Sequence, residues 1–320
     1  MNSSFRRIFA AVFSIWILLI PVFAAESLIP VGQVIGLELS SGSVTVAAYD
    51  DACSAGREAG VQIGDRILAI DGREVSCAKD VREALDRSDG TVELLLSRDK
   101  GETTLTLEPQ ISADGPKMGL YLRQGITGIG TVTFYDPESQ TFGTLGHGVS
   151  DNSDLLPMTR GNAYAAQVVS VRMGRAGEPG QLKGALASES PLGTLSRNTT
   201  RGVFGQAAIP WPGETIPVAQ TQQIRTGAAT IRSTVDSSGP RDYSVEILKI
   251  YPKNHTDGRN LLLRVTDPAL LAATGGIVQG MSGSPIIQDG KLVGAVTHVL
   301  VNDPTRGYGI FIENMLEAAS

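Results

Sequence analysis

The chain has few of the residues that metal sites and nucleic-acid binding require. Among 320 residues there are two cysteines and three histidines, and charged residues make up only 19%. The net charge is −6 and no stretch is densely basic, which argues against nucleic acid as a partner. The histidines lack a His-x-x-x-His spacing and the cysteines are not closely paired. We therefore expect no metal site and no cofactor.

Glycine and apolar residues, by contrast, are plentiful. The chain has 37 glycines and 16 prolines, and 42% of its residues are hydrophobic. That hydrophobic content can build a sizeable core, and the length predicts two domains. So many turn-forming residues favour a mainly β structure.

The amino-terminal segment has the pattern of an export signal. Arg6-Arg7 precede an apolar run over residues 8–25, which ends in small residues that suit signal peptidase. The run is also about long enough to span a bilayer, so residues 1–27 are predicted to be a signal peptide or a membrane anchor. Export would permit a disulfide between Cys53 and Cys77; the alternative is two separate small core residues.

Residues 28–110 are predicted to form a first, small domain. "IPVGQVIGLEL", "SVTVAAY", "DRILAIDGREV", "TVELLLSR" and "TTLTLEP" have the composition of strands, and "CAKDVREALDR" has helical periodicity. The stretch "REAGVQIGDRILAIDGREV" resembles the corresponding part of bacterial PDZ domains, a family that binds peptides as an added strand.

The resemblance to PDZ domains implies a peptide-binding site. Ile35, Gly36 and Leu37 would form the loop that receives a peptide carboxylate, and Val81 and Leu85 would face the groove from the helix. The alternative is that these side chains belong to the core, since amphipathic helices bury such stripes routinely.

Residues 115–320 are predicted to form a second domain of short strands, arranged as a barrel or sandwich. Within it, "GMSGSP" at residues 280–285 lies between a short helix and a hairpin that turns at Asp289-Gly290. The pattern resembles the nucleophile loop of chymotrypsin-like peptidases, which implies a double β-barrel with Ser282 as nucleophile. Glycines would let the N–H groups of Gly280 and Ser282 converge on an oxyanion.

A serine nucleophile needs a base and a group that orients the base. Of the three histidines, His255 lies in a polar loop and His298 in an apolar strand. His147, flanked by glycines in "GTLGHGVSD", is the predicted base. For the orienting acid the residues alone leave three alternatives, which are Asp151, Asp154 and Asp267.

The motifs together identify a family. "GTLGHGVSD" and the long run "VTDPALLAATGGIVQGMSGSPIIQDGKLVGAVTHVLVNDPTRGYGIFIE", behind a PDZ-like domain and one hydrophobic segment, closely resemble the stage IV sporulation protein B peptidases of endospore-forming bacteria. The resemblance covers nearly the full length, although the middle of the chain carries no specific motif. It implies a serine endopeptidase with the triad His147, Asp267 and Ser282.

The resemblance also implies a biological setting. The protein would be exported to the space between the two forespore membranes and anchored to the inner one before it cleaves itself. It would then cut a membrane-embedded regulatory protein, which frees an intramembrane metalloprotease that activates a late sigma factor. The PDZ-like domain would bind peptide C-termini or internal segments of these partners.

A second hypothesis belongs to a different class of function. The chain could be a non-catalytic envelope scaffold whose PDZ-like domain binds the C-termini of partner proteins. A reactive serine separates the two hypotheses, because a scaffold gives no labelling with a fluorophosphonate.

Overall fold

The structure is a computed structural model that describes residues 27–98, 101–151, 154–255 and 258–320. The predicted signal peptide or anchor therefore lies outside the described residues, apart from its last residue. Within the described ranges, no helix is both long enough and apolar enough to cross a bilayer.

Strands dominate the described chain, which confirms the predicted mainly β class. The strands are β1 (Ser27–Pro30), β2 (Val34–Ser40), β3 (Val44–Tyr49), β4 (Arg66–Ile70), β5 (Arg73–Glu74), β6 (Val92–Arg98), β7 (Gly101–Leu107), β8 (Gln110–Ser112), β9 (Gly115–Lys117), β10 (Leu120–Arg123), β11 (Ile126–Tyr135), β12 (Thr141–Thr144), β13 (Ser150–Asp151), β14 (Asp154–Leu155), β15 (Arg160–Arg172), β16 (Gln181–Thr199), β17 (Gly202–Ala207), β18 (Ile216–Pro217), β19 (Gly227–Ser233), β20 (Arg241–Ile250), β21 (Leu261–Val265), β22 (Pro285–Gln288), β23 (Lys291–Leu300) and β24 (Asp303–Phe311). The helices are α1 (Ala55–Glu58), α2 (Ala78–Arg87), α3 (Pro268–Thr274), α4 (Ile312–Ala319) and a 3₁₀ turn over Thr221–Gln223.

Two β-barrels form the body of the molecule. In the first, strands follow the order β12-β17-β16-β15-β2-β11, and pairing of β12 with β11 closes the ring. The second is the closed barrel β19-β20-β21-β24-β23-β22. Each barrel has its own buried cluster of aliphatic and aromatic side chains. The predicted double-barrel architecture is therefore confirmed.

The PDZ-like module is an insertion within the first barrel, between β2 and β11. Its sheet has the order β10-β3-β4-β6-β7, and α2 packs on it through a buried cluster. The neighbouring pair Leu39 and Ile126 marks where the chain leaves the barrel and returns to it. The predicted first domain, residues 28–110, is thus wrong at both ends, since β1 and β2 belong to the barrel and β10 to the PDZ-like sheet.

This topology corrects the predicted peptide site. Ile35, Gly36 and Leu37 lie in β2, paired with both β11 and β15, and the side chains of Ile35 and Leu37 are in the barrel core. A strand with partners on both edges has no free edge to offer a peptide. The local sequence around Ile35, Gly36 and Leu37 correctly predicts a strand, but the partners of this strand come from distant parts of the chain.

The two predicted groove residues of the helix are core residues here. Val81 and Leu85 are buried in the PDZ-like core, against which Leu120 and Leu122 of β10 also pack. Both cysteines of the module are free thiols, so the structure contains no Cys53–Cys77 disulfide.

Candidate active site

The Gly-Met-Ser-Gly-Ser-Pro segment lies between the two barrels, where α3 ends and β22 begins. Gly280 and Gly283 have φ angles of +98° and +96°, in the left-handed region that glycine adopts without strain. A Cβ at residue 283 would overlap the carbonyl oxygen of Thr131 in the first barrel. The loop therefore needs glycine at 283 both for its turn and for its contact with β11.

Strand β11 holds this loop in place from the opposite barrel. The Thr131 hydroxyl donates to the Gly280 carbonyl at 2.8 Å, and the Thr133 hydroxyl donates to the Gly283 carbonyl at 2.7 Å. The Thr131 N–H also donates to the Ser282 carbonyl at 2.9 Å. Buried hydrogen bonds of this kind fix the backbone on both sides of Ser282. The sequence motifs did not point to these threonines, although β11 itself was predicted as a strand.

The backbone N–H groups of the loop divide into two sets. Met281 N donates to Val278 O, and Gly283 N donates to Val296 O at 2.8 Å. Within the described residues, the N–H groups of Gly280 and Ser282 donate no hydrogen bond to the protein. These are the two donors that the sequence predicted for an oxyanion.

His147 follows β12 at the end of a strained turn. Leu145 and Gly146 both have φ of +69°, which is uncommon for a residue with a branched side chain such as leucine. Leu145 is held there because its side chain is buried in the core of the first barrel. Strain of this sort persists where the surrounding structure fixes it, and here it aims the imidazole at the second barrel.

His147 and Ser282 meet neighbouring residues of β23. The Ser282 hydroxyl donates to the Thr297 carbonyl at 2.7 Å, and the rings of His147 and His298 have centroids 5.1 Å apart. The predicted nucleophile and base therefore contact adjacent residues of β23. In the described chain they are not hydrogen-bonded to each other, and the hydroxyl proton points at Thr297. A rotation about the Ser282 Cα–Cβ bond would redirect it, and such contacts often tighten only when substrate is bound.

The state of the imidazole suits a general base. Nδ1 lies 2.9 Å from the Gly148 carbonyl oxygen, which can only accept, so in the neutral ring Nδ1 carries the proton and Nε2 has the free lone pair. Partial burial of the ring lowers the pKa of His147 below its usual 6.5, and the bond to Gly148 opposes this shift more weakly. The ring is therefore neutral at neutral pH.

None of the three candidate acids is hydrogen-bonded to His147 in the described chain. Asp267 is the N-cap of α3, where one oxygen accepts from the N–H groups of Ala269 and Leu270 and the other accepts from Ser244 N at 3.3 Å. Asp151 pairs with Arg123 at 2.7 Å. Asp154 is exposed on β14.

The second serine of the motif has a structural role. Ser284 is fully buried, and its hydroxyl donates to Ser233 at 2.9 Å. His255 is exposed beside Tyr251, at a ring separation of 4.7 Å.

In the ranges that the structure covers, no group of three or more His, Cys, Asp and Glu side chains could hold a metal ion.

Family models match two parts of the chain. The sequence model of the SpoIVB peptidase S55 family matches residues 115–316, a range that contains β11 to β24 of the two barrels. The chain belongs to the SpoIVB peptidase S55 family. A PDZ domain model matches residues 51–98, inside the inserted module. The protein is thus a peptidase that carries a PDZ domain.

Other comparisons are more distant. A search of curated proteins finds no match to this chain. Among solved structures, the chain is similar to one described as the crystal structure of Rv3671c protease in its inactive form, with 13% identity and a TM-score of 0.34. That similarity covers 60% of this chain and 82% of the other. At this distance it transfers no residue roles.

Proposed function

We propose that this peptidase is a serine endopeptidase in which Ser282 attacks the peptide bond and His147 removes its proton. The observation that carries the proposal is that β23 contacts both side chains at adjacent residues, Thr297 and His298. The two groups come from opposite barrels, as in other peptidases with a nucleophile and base on separate halves.

The reaction follows from the positions of these atoms. His147 Nε2 takes the hydroxyl proton as Ser282 Oγ adds to the carbonyl carbon, and the developing oxyanion accepts from the N–H groups of Gly280 and Ser282. The imidazolium then gives its proton to the leaving amine, and water repeats the sequence on the acyl-enzyme. The Gly148 carbonyl holds the ring in the tautomer that this requires.

In this proposal Asp267 acts by capping α3. The family motif assigns it as the third triad residue, but its carboxylate already accepts from three backbone N–H groups. Because α3 leads through Gly275 into the loop of Ser282, a firm start to the helix also fixes the position of the nucleophile.

The test is labelling by a fluorophosphonate, combined with intact-mass measurement of the exported protein. The wild type should react, and Ser282→Ala should not, with turnover lowered roughly 10⁶-fold. Ser284→Ala is the matched control, since this buried hydroxyl is two residues away and should leave labelling intact. Absence of labelling in the wild type would favour the PDZ scaffold hypothesis instead.

The biological role is proposed from the family. The enzyme would be exported, would remove its own amino-terminal region, and would then cleave a membrane-embedded regulator in the forespore intermembrane space. Membrane fractionation with and without residues 1–26 tests the anchor. In the organism that encodes it, Ser282→Ala should keep the full-length mass and block a late step of sporulation.

The PDZ domain would bind its peptides at the edge of β10. This strand ends the sheet, and Gly119, with φ of +72°, precedes it. An extended peptide can add to such an edge. Hydrogen exchange of the full chain should then show slower exchange at residues 119–123 when C-terminal peptides are added.

A further inference from the structure

A groove of about 560 Å³ crosses the outer face of the first barrel, over β2, β11, β15 and β16. Three glycines, Gly36, Gly128 and Gly184, contribute their backbones to its lining. A Cβ at Gly36 would meet Leu186 and one at Gly184 would meet Ile129, so these two glycines face the apolar side chains of the groove. We call this feature the apolar groove.

The apolar groove continues directly from the loop that carries Ser282. Side chains two residues apart on a strand share a face and are about 7 Å apart. On β11 this face presents Thr133 and Thr131, which bind the loop, and then Ile129 and Thr127, which line the groove. On β16, Leu182 N donates to Gln279 O just before Gly184 enters the groove.

The lining defines what the groove can accept. Its most exposed apolar side chain is Leu186, which is 57% exposed, and Ile129 and Ala166 add further apolar surface. The charged residues of the lining are Glu38 and Glu189, with no lysine or arginine. A large apolar side chain would bury surface here, and a basic neighbour would face two carboxylates.

We propose that the apolar groove is a specificity subsite for the protein substrate. The groove begins about 7 Å from the contact between Thr131 and Gly280, and a strand advances about 3.3 Å per residue. The groove therefore binds an extended segment of the substrate about two to four residues from the scissile bond. The segment places a large apolar side chain against Leu186 and an adjacent Lys or Arg near Glu38 and Glu189. This inference rests on the proposed serine endopeptidase function.

The test compares long and short peptide substrates of the full-length enzyme. Long peptides carry six residues on each side of the cleaved bond, with Leu-Lys or Ser-Ser placed at each successive pair of positions; short ones carry only one residue on each side. Thr127→Trp fills the groove, because residue 127 lines it and lies on the same strand face as Ile129. It should lower the ratio of kcat/KM for the best Leu-Lys peptide to that for the short peptide by roughly tenfold.

Thr104→Trp is the matched control, because this exposed threonine lies in a strand of the PDZ domain and does not line the groove. It should leave the ratio unchanged. Leu186→Ala should lower the preference for leucine, and Glu38→Gln with Glu189→Gln should lower the preference for lysine while leaving leucine preferred.

The outcomes separate the two levels of the proposal. If the wild type neither reacts with a fluorophosphonate nor cleaves any peptide, the endopeptidase function fails and the subsite with it. If it cleaves both peptides but Thr127→Trp and Leu186→Ala leave the ratio unchanged, the subsite alone is overturned. A dimer that Thr127→Trp dissociates, in sedimentation, would assign the groove to a second copy of the chain and also overturn it.

Discussion

At the residue scale, Asp267 shows how one side chain can fit two explanations. Its position fifteen residues before Ser282 matches the family motif, while its contacts are those of an N-cap. The two roles respond differently to substitution. An asparagine keeps the cap but cannot stabilise an imidazolium as a carboxylate does.

We therefore expect Asp267→Asn to retain activity within about tenfold, whereas a triad aspartate would lose about 10⁴-fold in kcat. Asp267→Ala should lower the free energy of unfolding by about 1 kcal/mol, since α3 loses its cap. Steady-state kinetics and urea unfolding measure the two effects. A 10⁴-fold loss in the stable asparagine variant would restore Asp267 to the triad.

His147 gives a prediction about pH. Because burial lowers its pKa below 6.5, the ring becomes the active neutral base at a lower pH than an exposed histidine would. The acid limb of the kcat/KM profile should therefore have its midpoint below 6.5. In the folded protein His147 stays neutral at a pH where the unfolded chain protonates it. The contribution of His147 to the free energy of unfolding is therefore complete above pH 6.5 and declines as the pH falls.

The kinetic profile from pH 4 to 9, with His255→Ala as control, measures this midpoint. The exposed His255 should not affect it. A midpoint above 6.5 would show that a negative charge approaches His147 in the working enzyme, contrary to the structure.

At the scale of elements, β11 is the strand on which the proposed site depends. It pairs with β2 and β12 in the first barrel and binds the loop of Ser282 in the second. Shifting a reacting group by about 1 Å can cost on the order of 100-fold in rate. The threonines of β11 should therefore matter for activity beyond their effect on stability.

Thr131→Val and Thr133→Val should each lower the free energy of unfolding by about 1–3 kcal/mol, because a buried glycine carbonyl loses its donor. They should also lower kcat at a temperature where the variant is fully folded. Thr234→Val is the matched control: its buried hydroxyl donates at 2.9 Å to Gly32 O rather than to a carbonyl of the loop. Equal kcat losses in all three variants would argue against a positioning role.

At the scale of the whole molecule, the inserted PDZ domain leaves the barrel intact around it. Leu39 and Ile126 are paired across neighbouring strands. Ser40 follows Leu39 and Gly125 precedes Ile126, so the two ends of the insertion lie side by side. The salt bridge between Arg123 and Asp151 joins the edge of the module to the barrel side. A partly exposed ion pair of this kind contributes about 0–1 kcal/mol.

Replacing residues 41–124 by Asn-Gly should therefore give a folded double barrel, since a two-residue turn suits an antiparallel pair. We expect this variant to react with the fluorophosphonate at a rate similar to the full chain and to lose the binding of C-terminal peptides. Circular dichroism and labelling measure the outcome. An unfolded product would show that the barrel needs the module.

Sequence alone predicted the local structure around the proposed site. The Gly-Met-Ser-Gly-Ser-Pro loop, the glycine-flanked His147 and the Asp267-Pro268 helix start are local patterns, and the structure places each in the predicted kind of element. Local patterns suffice because turns and caps depend on residues a few positions apart.

Tertiary structure decided which strands pair and what each carboxylate contacts. The composition of β2 predicts a strand, but only its pairing with β11 and β15 moves Ile35 and Leu37 out of the PDZ domain and into the barrel. Likewise only the fold reveals that Thr131 and Thr133 reach the loop 150 residues later. Strand partners are chosen by long-range burial, which periodicity along the chain does not encode.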